Sequence, residues 1–565
     1  MIGSIVQLLF PGTRNYMNNS QNKFISKKIK ILISICVLLL AAITASWAIS
    51  ETGMENHECL VSITAREMLQ SGDWIMPTCN GELRLEKTPL SYWLVAALAK
   101  ITGKINEFSA RLPSAIFAVL SVAAILYFIN QWLSFRIATL SALVWATSFG
   151  YVRYARDARP EMSLTFFITL CLLSFYSGIT AKTRKKQVIY MLVFWISFGL
   201  AMLAKGPAPL PLLLIPIFSC LAIFRQWKIL PKLLPVTGII IFLAIVLPWP
   251  LAIGHRVNWD LIIWKQNFFD RFLGEYAPGN YPFYFYLLYI FAFAAPWVAF
   301  VPAALTSPFY KIWGQKQKTM LFLWLWFVAD LVFLTISGGK RKHYILPLMP
   351  AIAILTGIIM DDMSFIRKAF TQKFAKNFLL YHMAFISILA VAGAIYISIA
   401  HPQFLPETLT LSIAALAIVG GTFVSFAKRK DALACGIIFA GWCILTVCYI
   451  SFSAPFDNNN YTKKFALEIL DKVPPTDNLV AYNYVSRRVV HYFGRPIPEI
   501  EDKSSVYQHY ERGDWIIATA GELKELEQDG RLEKVYYNEK AEVRRKENTR
   551  GALFHKSTSH PENGL

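Results

Sequence analysis

Residues 159–205 read RPEMSLTFFITLCLLSFYSGITAKTRKKQVIYMLVFWISFGLAMLAK. Two apolar runs, 162–180 and 188–204, lie on either side of a short loop that contains four basic residues. Each run is long enough to cross a hydrocarbon core about 30 Å thick, and in lipid a helix satisfies its own backbone polar groups. The stretch therefore predicts two antiparallel transmembrane helices joined by a cationic loop.

The same pattern recurs along the 565-residue chain, which is 55% hydrophobic and only 16% charged. A soluble protein of this length would carry about a quarter charged residues. We predict about thirteen spans, at 29–49, 111–132, 134–150, 162–180, 188–204, 207–224, 233–253, 284–305, 319–336, 343–360, 377–399, 407–427 and 432–452. The predicted fold is an all-α polytopic membrane bundle.

Basic residues in the loops predict the orientation. If the basic N-terminal segment 1–28 lies inside, alternate loops also fall inside, and each is basic, as the positive-inside rule requires. These loops lie around Arg136 and at 182–186, 225–232, 311–318, 367–376 and 428–430. An odd number of spans then places the C-terminal tail outside. We expect a multi-pass protein of a bacterial inner membrane with this tail on the extracytoplasmic side.

The outer parts of the chain differ in composition from the spans. Within the membrane domain 29–453, the first outer loop 50–110 contains an apolar stretch, 89–101, that is too short to span and predicts an interfacial helix. Residues 455–556 predict a small α/β domain, followed by a disordered end at 557–565. Its predicted elements are a helix at 461–473 and strands at 479–485, 489–493, 515–520 and 535–537.

The net charge of +20 has a membrane explanation. Many cations lie in short loops, where they orient the chain and contact anionic lipid, and no zinc-finger spacing is present. We therefore expect membrane lipids, and no nucleic acid, as partners. Six of the eight cysteines lie inside apolar runs. Cys59 and Cys79 share the first outer loop, and the sequence leaves a disulfide between them and two free thiols as alternatives.

Several cations lie on the predicted outer face, against the topology bias. They are Arg153, Arg156 and Arg159 in one loop, Lys205 at the end of a span, and Lys340, Arg341 and Lys342 before His343 and Tyr344. A shared phosphate site explains them, because Arg binds phosphate through two hydrogen bonds and Lys supplies a compact charge. Binding of ordinary lipid headgroups is the plainer alternative.

Carboxylates accompany these cations. Glu55 and Glu58 flank His57 after the first span, Asp157 and Glu161 lie near the arginines, and Glu86 precedes a lysine. A carboxylate at a membrane boundary is costly unless it is paired or functional, and it can serve as a general base. Salt bridges to the arginines are the alternative for each acid taken singly.

The first outer loop carries a long run of motifs: AREM (65–68), SGDW (71–74), EKTPL (86–90), and ARLPSA (110–115). Weaker motifs follow as RPEMSLTFF (159–167), LAKGP (203–207) and KHYILPLMPA (342–351). Their order resembles the bacterial protein-mannosyltransferase and aminoarabinose-transferase group of the GT-C glycosyltransferases. This resemblance reaches from about residue 50 to 351 and implies a GT-C bundle with a small outer domain.

The resemblance implies roles for individual residues. The donor would be a polyprenyl-phosphate-linked sugar, whose phosphate is held by Lys87, Lys205, Arg153, Arg156, Arg159, Lys340 and Lys342, with Tyr344 lining the carrier groove. Glu58 or Glu161 would act at the acceptor, with inversion at the sugar carbon. His57 stands where the group has an Asp, so it is a third catalytic candidate.

Metal dependence is left open. In the aminoarabinose transferases the Glu equivalent to Glu86 can hold a metal together with a later His, for which this chain has no match. No cofactor is certain, and a divalent metal remains an option.

The predicted function is transfer of a sugar to a lipid A-like lipid, a protein or a glycan on the outer face of the membrane. A transporter or flippase of lipid-linked sugars is the alternative; it would need gates and charged residues at mid-membrane.

Overall fold

The fold is described from a computed structural model. It covers residues 26–257, 265, 270–275, 281–310, 313, 314, 316–363, 402–428, 430–454, 457, 459–544 and 547–556, with separate positions within 377–399. The chain forms two compact units. Unit 1 comprises 1–47, 86–90 and 112–450, and unit 2 comprises 48–85, 91–111 and 451–565.

Helices dominate the chain. In order they are α1 Lys27–Ser46, α2 Asn56–Ser71, α3 Leu90–Thr102, α4 Glu107–Trp132, α5 Phe135–Ala146, α6 Phe149–Ala155, α7 Glu161–Ile179, α8 Arg184–Lys205, α9 Pro209–Ile223, α10 Pro235–Val246, α11 Pro248–Gly254, α12 Arg271–Leu273, α13 Phe285–Ala294, α14 Val301–Thr306, α15 Lys316–Ile336, α16 Met349–Asp361, α17 Leu405–Ala427, α18 Asp431–Ser453, α19 Asn459–Lys472, α20 Arg487–Phe493, α21 Lys503–Glu511 and α22 Ala520–Asp529. Short 3-10 turns include Lys342–Leu348, which runs into α16.

The prediction of a polytopic all-α membrane protein is confirmed. Within the described residues, eight helices are long and apolar enough to cross a membrane, or ten if each of two bent pairs counts as one span. Two shorter apolar helices, Phe135–Ala146 and Pro209–Ile223, coincide with the predicted spans 134–150 and 207–224. The predicted span 377–399 lies largely outside the described residues, as does the predicted disordered end 557–565.

Unit 1 is a bundle in which α7 packs along α8 and α5 packs along α16. Its interior holds large aromatic side chains, among them the fully buried Trp145, Trp297 and Trp326. The hairpin of α7 and α8 is set locally: Thr183 caps α8 by accepting a hydrogen bond from the backbone N–H of Lys186. The two helices therefore run antiparallel, and the start of α7 lies beside the end of α8.

Unit 2 contains a short hairpin of β1 Thr78–Cys79 and β2 Glu82–Leu83 and a five-stranded mixed sheet. The strands of this sheet are β3 Leu479–Tyr482, β4 Glu499–Ile500, β5 Trp515–Thr519, β6 Lys534–Arg544 and β7 Glu547–Phe554, in the spatial order β4-β3-β5-β7-β6. Strand β3 pairs in parallel with β4 and β5, and β7 is antiparallel to β5 and β6. The predicted α/β character of the tail is confirmed.

One predicted strand is wrong. Residues 489–493 belong to the helix α20, not to the sheet. Ser486 caps this helix by accepting from the backbone N–H of Arg488, and Gly494 ends it with a φ of 89°. A five-residue apolar run carries no periodicity that separates a buried helix from a strand, so capping and packing decide. The stretch 89–101, predicted as a helix, is α3.

Candidate active site

The ends of the α7–α8 hairpin bring an acid and a base together in unit 1. Glu161 opens α7 and Lys205 closes α8, and the Nζ of Lys205 lies 3.0 Å from Oε1 of Glu161. Each charge also suits its helix end, because anions are favoured at an N-terminus and cations at a C-terminus. Glu161 is 5% exposed, so the pair lies in a water-poor setting.

His343 and Tyr344 complete this cluster. They lie in the 3-10 turn Lys342–Leu348, which packs against α7. His343 Nε2 is 3.4 Å from Oε1 of Glu161, and the Nζ of Lys205 lies 5.2 Å from the centre of the Tyr344 ring. The other oxygen of Glu161, Oε2, is buried and has no hydrogen-bond partner among the described residues. Among the described contacts, therefore, only one of the two carboxylate oxygens of Glu161 is engaged.

A cavity of about 420 Å³ opens beside this cluster. Its polar side chains are those of Lys87, Glu161, Lys205, Ser337, His343 and Tyr344, and Gly339 lies beside them. Its apolar lining is Leu164, Pro207, Ala208, Leu210, Pro211, Leu212, Phe272, Phe333, Leu334 and Pro347. The cavity therefore joins a cationic end to an apolar wall, as a ligand with a charged head and a hydrocarbon tail requires.

The backbone at the end of α8 is specialised. Gly206 has φ 58° and ψ −142°, a region that an L-residue rarely adopts. Its N–H donates to Oγ1 of Thr88 over 3.2 Å, which ties the end of α8 to the EKTPL motif beside Lys87. No role for Thr88 or His343 was predicted from the sequence. Their positions inside EKTPL and KHYILPLMPA were the available signal.

The three loop arginines lie outside the lining of this cavity. Arg159 and Arg153 form ion pairs with Asp157, the first through Nε at 2.8 Å and the second at 3.4 Å. Arg156 donates to the backbone carbonyl of Trp47. These contacts fit the salt-bridge alternative raised for this loop, and phosphate binding by these arginines stays a prediction.

The two lysines of the 337–342 loop differ in exposure. Lys340 is 7% exposed, whereas Lys342 is exposed, and neither is among the residues that line the cavity. The loop is held by close backbone approach: Gly338 donates to the carbonyl of Phe272 over 2.8 Å, and a Cβ there would lie 2.8 Å from the Cα of Gly274. The assignment of Lys340 and Lys342 to the donor phosphate stays a prediction.

Glu58 lies in unit 2 and is fully engaged there. Its two oxygens accept from Nε and Nη2 of Arg111 at 2.7 and 2.8 Å, and Oε2 also accepts from the backbone N–H of Glu55 at 2.9 Å. Glu58 is 3% exposed and forms a capping box with Glu55 at the start of α2. His57, next to it on α2, is exposed. The contacts of Glu58 are those of a structural ion pair.

No metal centre is evident in the described part of the chain. There, no three His, Cys, Asp or Glu residues lie close enough together to hold an ion, and Glu86 is exposed. Cys59 and Cys79 are both free thiols and both buried. Burial raises the pKa of each thiol, so neither is poised as a thiolate.

Comparison with known proteins places these features in a family context. Residues 86–251 match the profile of the dolichyl-phosphate-mannose-protein mannosyltransferase family. An undecaprenyl phosphate-alpha-4-amino-4-deoxy-L-arabinose arabinosyl transferase of Pseudomonas aeruginosa strain LESB58 is 26% identical over 463 residues, 79% of this chain and 81% of that one. An uncharacterised protein of Aquifex aeolicus is 32% identical over 317 residues, 54% of this chain; the matched part spans 60% of its length.

The fold matches a solved structure over nearly its whole length. The crystal structure of ArnT from Cupriavidus metallidurans bound to undecaprenyl phosphate superimposes with a TM-score of 0.78 at 17% identity, covering 94% of this chain and 98% of that one. Its apo form gives a TM-score of 0.76. With the motifs of the first outer loop and the hydrophobic helices, these matches make the chain a multi-pass membrane protein of the GT-C superfamily of glycosyltransferases.

Proposed function

We propose that this protein transfers a sugar from a polyprenyl-phosphate carrier to an acceptor at the cavity beside Glu161, Lys205 and His343. The observation that supports this proposal is the lining of that cavity, in which an apolar wall lies next to Lys87 and Lys205. A polyprenyl chain needs the wall, and its phosphate needs the cations. The relatives whose names state an activity are transferases, which favours transfer over transport without chemistry.

The geometry supports a division of labour. Negative charge grows on the departing carrier phosphate, so Lys87 and Lys205 would stabilise the transition state more than the bound donor. Oε2 of Glu161, which has no hydrogen-bond partner among the described residues, would accept a hydrogen bond or proton from the attacking hydroxyl or amine. A single displacement then inverts the sugar carbon. Tyr344, under Lys205, would line the carrier groove.

Glu161 is the better supported of the two predicted acids. It lines a cavity and has one oxygen without a hydrogen-bond partner among the described residues, whereas both oxygens of Glu58 are engaged by Arg111. Glu58 and His57 remain candidates through the family resemblance alone. Lys340, Lys342 and the three loop arginines would contribute to the positive potential that draws the phosphate headgroup to the membrane surface.

The names of the relatives set the order in which substrates are tested. The name of the Pseudomonas aeruginosa relative contains an undecaprenyl phosphate-linked aminoarabinose. The name of the matched family contains a dolichyl-phosphate-linked mannose. We propose an undecaprenyl-phosphate-linked sugar as donor and a lipid A-like lipid as first acceptor, with protein and glycan acceptors next. The site would face the extracytoplasmic side, in line with the distribution of basic loops.

The direct test uses purified protein in nanodiscs with an undecaprenyl-phosphate-linked sugar and a lipid A-like acceptor. Mass spectrometry of the acceptor should show a mass increase of one sugar, dependent on donor and enzyme. The matched control is Glu161→Gln, which keeps the shape of the side chain. The protein would instead be a flippase if the donor moves between leaflets while none of the three acceptor classes gains a sugar.

A further inference from the structure

Unit 2 contains a second cavity, of about 470 Å³. Its walls come from the end of α2, the turn between α3 and α4, and the helices α19 and α20. Four of the lining residues can bind anions, namely Arg66, Lys104, Lys463 and His491, and one carboxylate, Glu107, lines it as well. Formal cations therefore outnumber anions in this cavity even with a neutral imidazole.

The single carboxylate is already engaged. Lys463 Nζ lies 2.6 Å from Oε1 of Glu107, and the hydroxyl of Tyr492 donates to the same oxygen over 3.0 Å. An ammonium group has three N–H donors, so Lys463 keeps donors for a further partner. Lys104 is exposed at the rim. The surplus charge is thus accessible from the cavity.

Two residues of the lining each carry one buried polar atom that has no partner among the described residues. His491 is 6% exposed, and its Nδ1 forms no hydrogen bond there; the same holds for Nε of Arg66. The guanidinium of Arg66 is held in place because Nη1 and Nη2 donate to the carbonyls of His491 and Val490 at 2.8 and 3.2 Å. Unpaired buried polar groups are costly, so a lining that contains them favours a bound ligand.

The imidazole contributes hydrogen bonding rather than charge. Burial, together with the Arg66 cation, lowers the pKa of His491 to about 3, so the ring is neutral at pH 7. A neutral imidazole donates through one nitrogen and accepts through the other. The ring can therefore form hydrogen bonds with a ligand that has both acceptor oxygens and a hydroxyl group.

We propose that this cavity binds a phosphate monoester, through Lys104, Lys463 and the polar groups of Arg66 and His491. The 26-residue helix α4 begins at Glu107 in the lining, and its N-terminus adds a favourable dipole for an anion. The volume is in the range of ligand pockets, which leaves room for a sugar or glycerol attached to the phosphate. All of the lining residues belong to unit 2, and ligand binding there does not depend on the sugar transfer proposed for unit 1.

Lysine footprinting of the full-length wild type tests the site. The protein in phosphatidylcholine nanodiscs is acetylated with and without glucose 6-phosphate, at constant ionic strength, and each lysine is quantified by mass spectrometry. Lys104 and Lys463 should react at least about threefold more slowly with ligand. Their neighbours Lys100 and Lys464 are exposed, do not line the cavity, and should be unchanged. Equal protection of all four, or of none with any probe, would overturn the proposal.

Two further arms distinguish the sources of the phosphate. Nanodiscs that contain phosphatidic acid, with no soluble ester, should protect the same pair if a lipid headgroup is the ligand. Inorganic phosphate alone tests whether the anion suffices. Lys463→Gln should abolish protection of Lys104, whereas Lys464→Gln should retain it. The transfer assay runs on the same preparations, so absence of protection with intact transfer rejects this site alone.

Discussion

Lys205 contacts both the charged cluster and the cavity of the proposed site in unit 1. It pairs with Glu161, lies over Tyr344, and reaches the cavity beside Lys87. We expect Lys205→Ala to lower kcat/KM about tenfold to a hundredfold, because a charge-assisted hydrogen bond contributes roughly 1.5–3 kcal/mol. Steady-state transfer kinetics measure this. Lys185→Ala, at the exposed opposite end of α8, is the matched control and should stay at wild-type rate.

Glu161→Gln separates binding from chemistry. The amide keeps the shape of the side chain but loses the charge and the basic oxygen, so single-turnover transfer should slow by about a hundredfold or more. Donor binding should change much less, since the lysines and the apolar wall remain. If Glu161→Gln transfers sugar at the wild-type rate while His57→Ala is inactive, Glu161 is not the general base.

Glu58 has a structural prediction of its own. Glu58→Gln leaves the Arg111 cation buried without its counter-charge, and breaking a buried ion pair costs about 3–5 kcal/mol. The apparent unfolding midpoint of the purified protein should fall by several degrees, while Glu51→Gln, at an exposed position, should not change it. A variant that keeps the wild-type midpoint but loses turnover would make Glu58 catalytic.

At the scale of the element, the hairpin of α7 and α8 positions the site through its ends. Gly206 terminates α8 in a backbone region that costs an L-residue about 1–3 kcal/mol. We expect Gly206→Ala to displace Lys205 and to lower both transfer and the unfolding midpoint. Gly420→Ala is the control, because a Cβ there would meet no atom within 4 Å and its φ is not positive. Wild-type transfer by Gly206→Ala would show that the turn does not position Lys205.

At the scale of the whole molecule, the orientation in the membrane remains a prediction. A cysteine at Lys524, exposed in unit 2, should react with a membrane-impermeant maleimide in intact spheroplasts. A cysteine at Lys185, in a predicted inner loop, should react only after the membrane is opened. The wild-type chain with its native cysteines sets the background. The reverse pattern would place the C-terminal part of unit 2 inside.

Features that depend on local chemistry could be predicted from the sequence. Apolar length predicted the membrane helices, because lipid leaves backbone polar groups no partner except a helix. The same rule placed Glu161 and Lys205 at the same end of a hairpin, which the 3.0 Å pair confirms. Turn and strand composition predicted a sheet in the tail, but not the β4 and β7 strands or the helical state of 489–493.

Features that depend on packing between distant segments were decided by the tertiary structure. The order of residues along the chain does not predict that Arg111 engages both oxygens of Glu58, while one oxygen of Glu161 has no partner in the part of the chain that the structure describes. Nor could it place His343 against Glu161, or gather Arg66, Lys463 and His491 around one cavity. The physical reason is that hydrogen-bond satisfaction and burial depend on which segments meet, whereas apolar length and helix ends are properties of each segment alone.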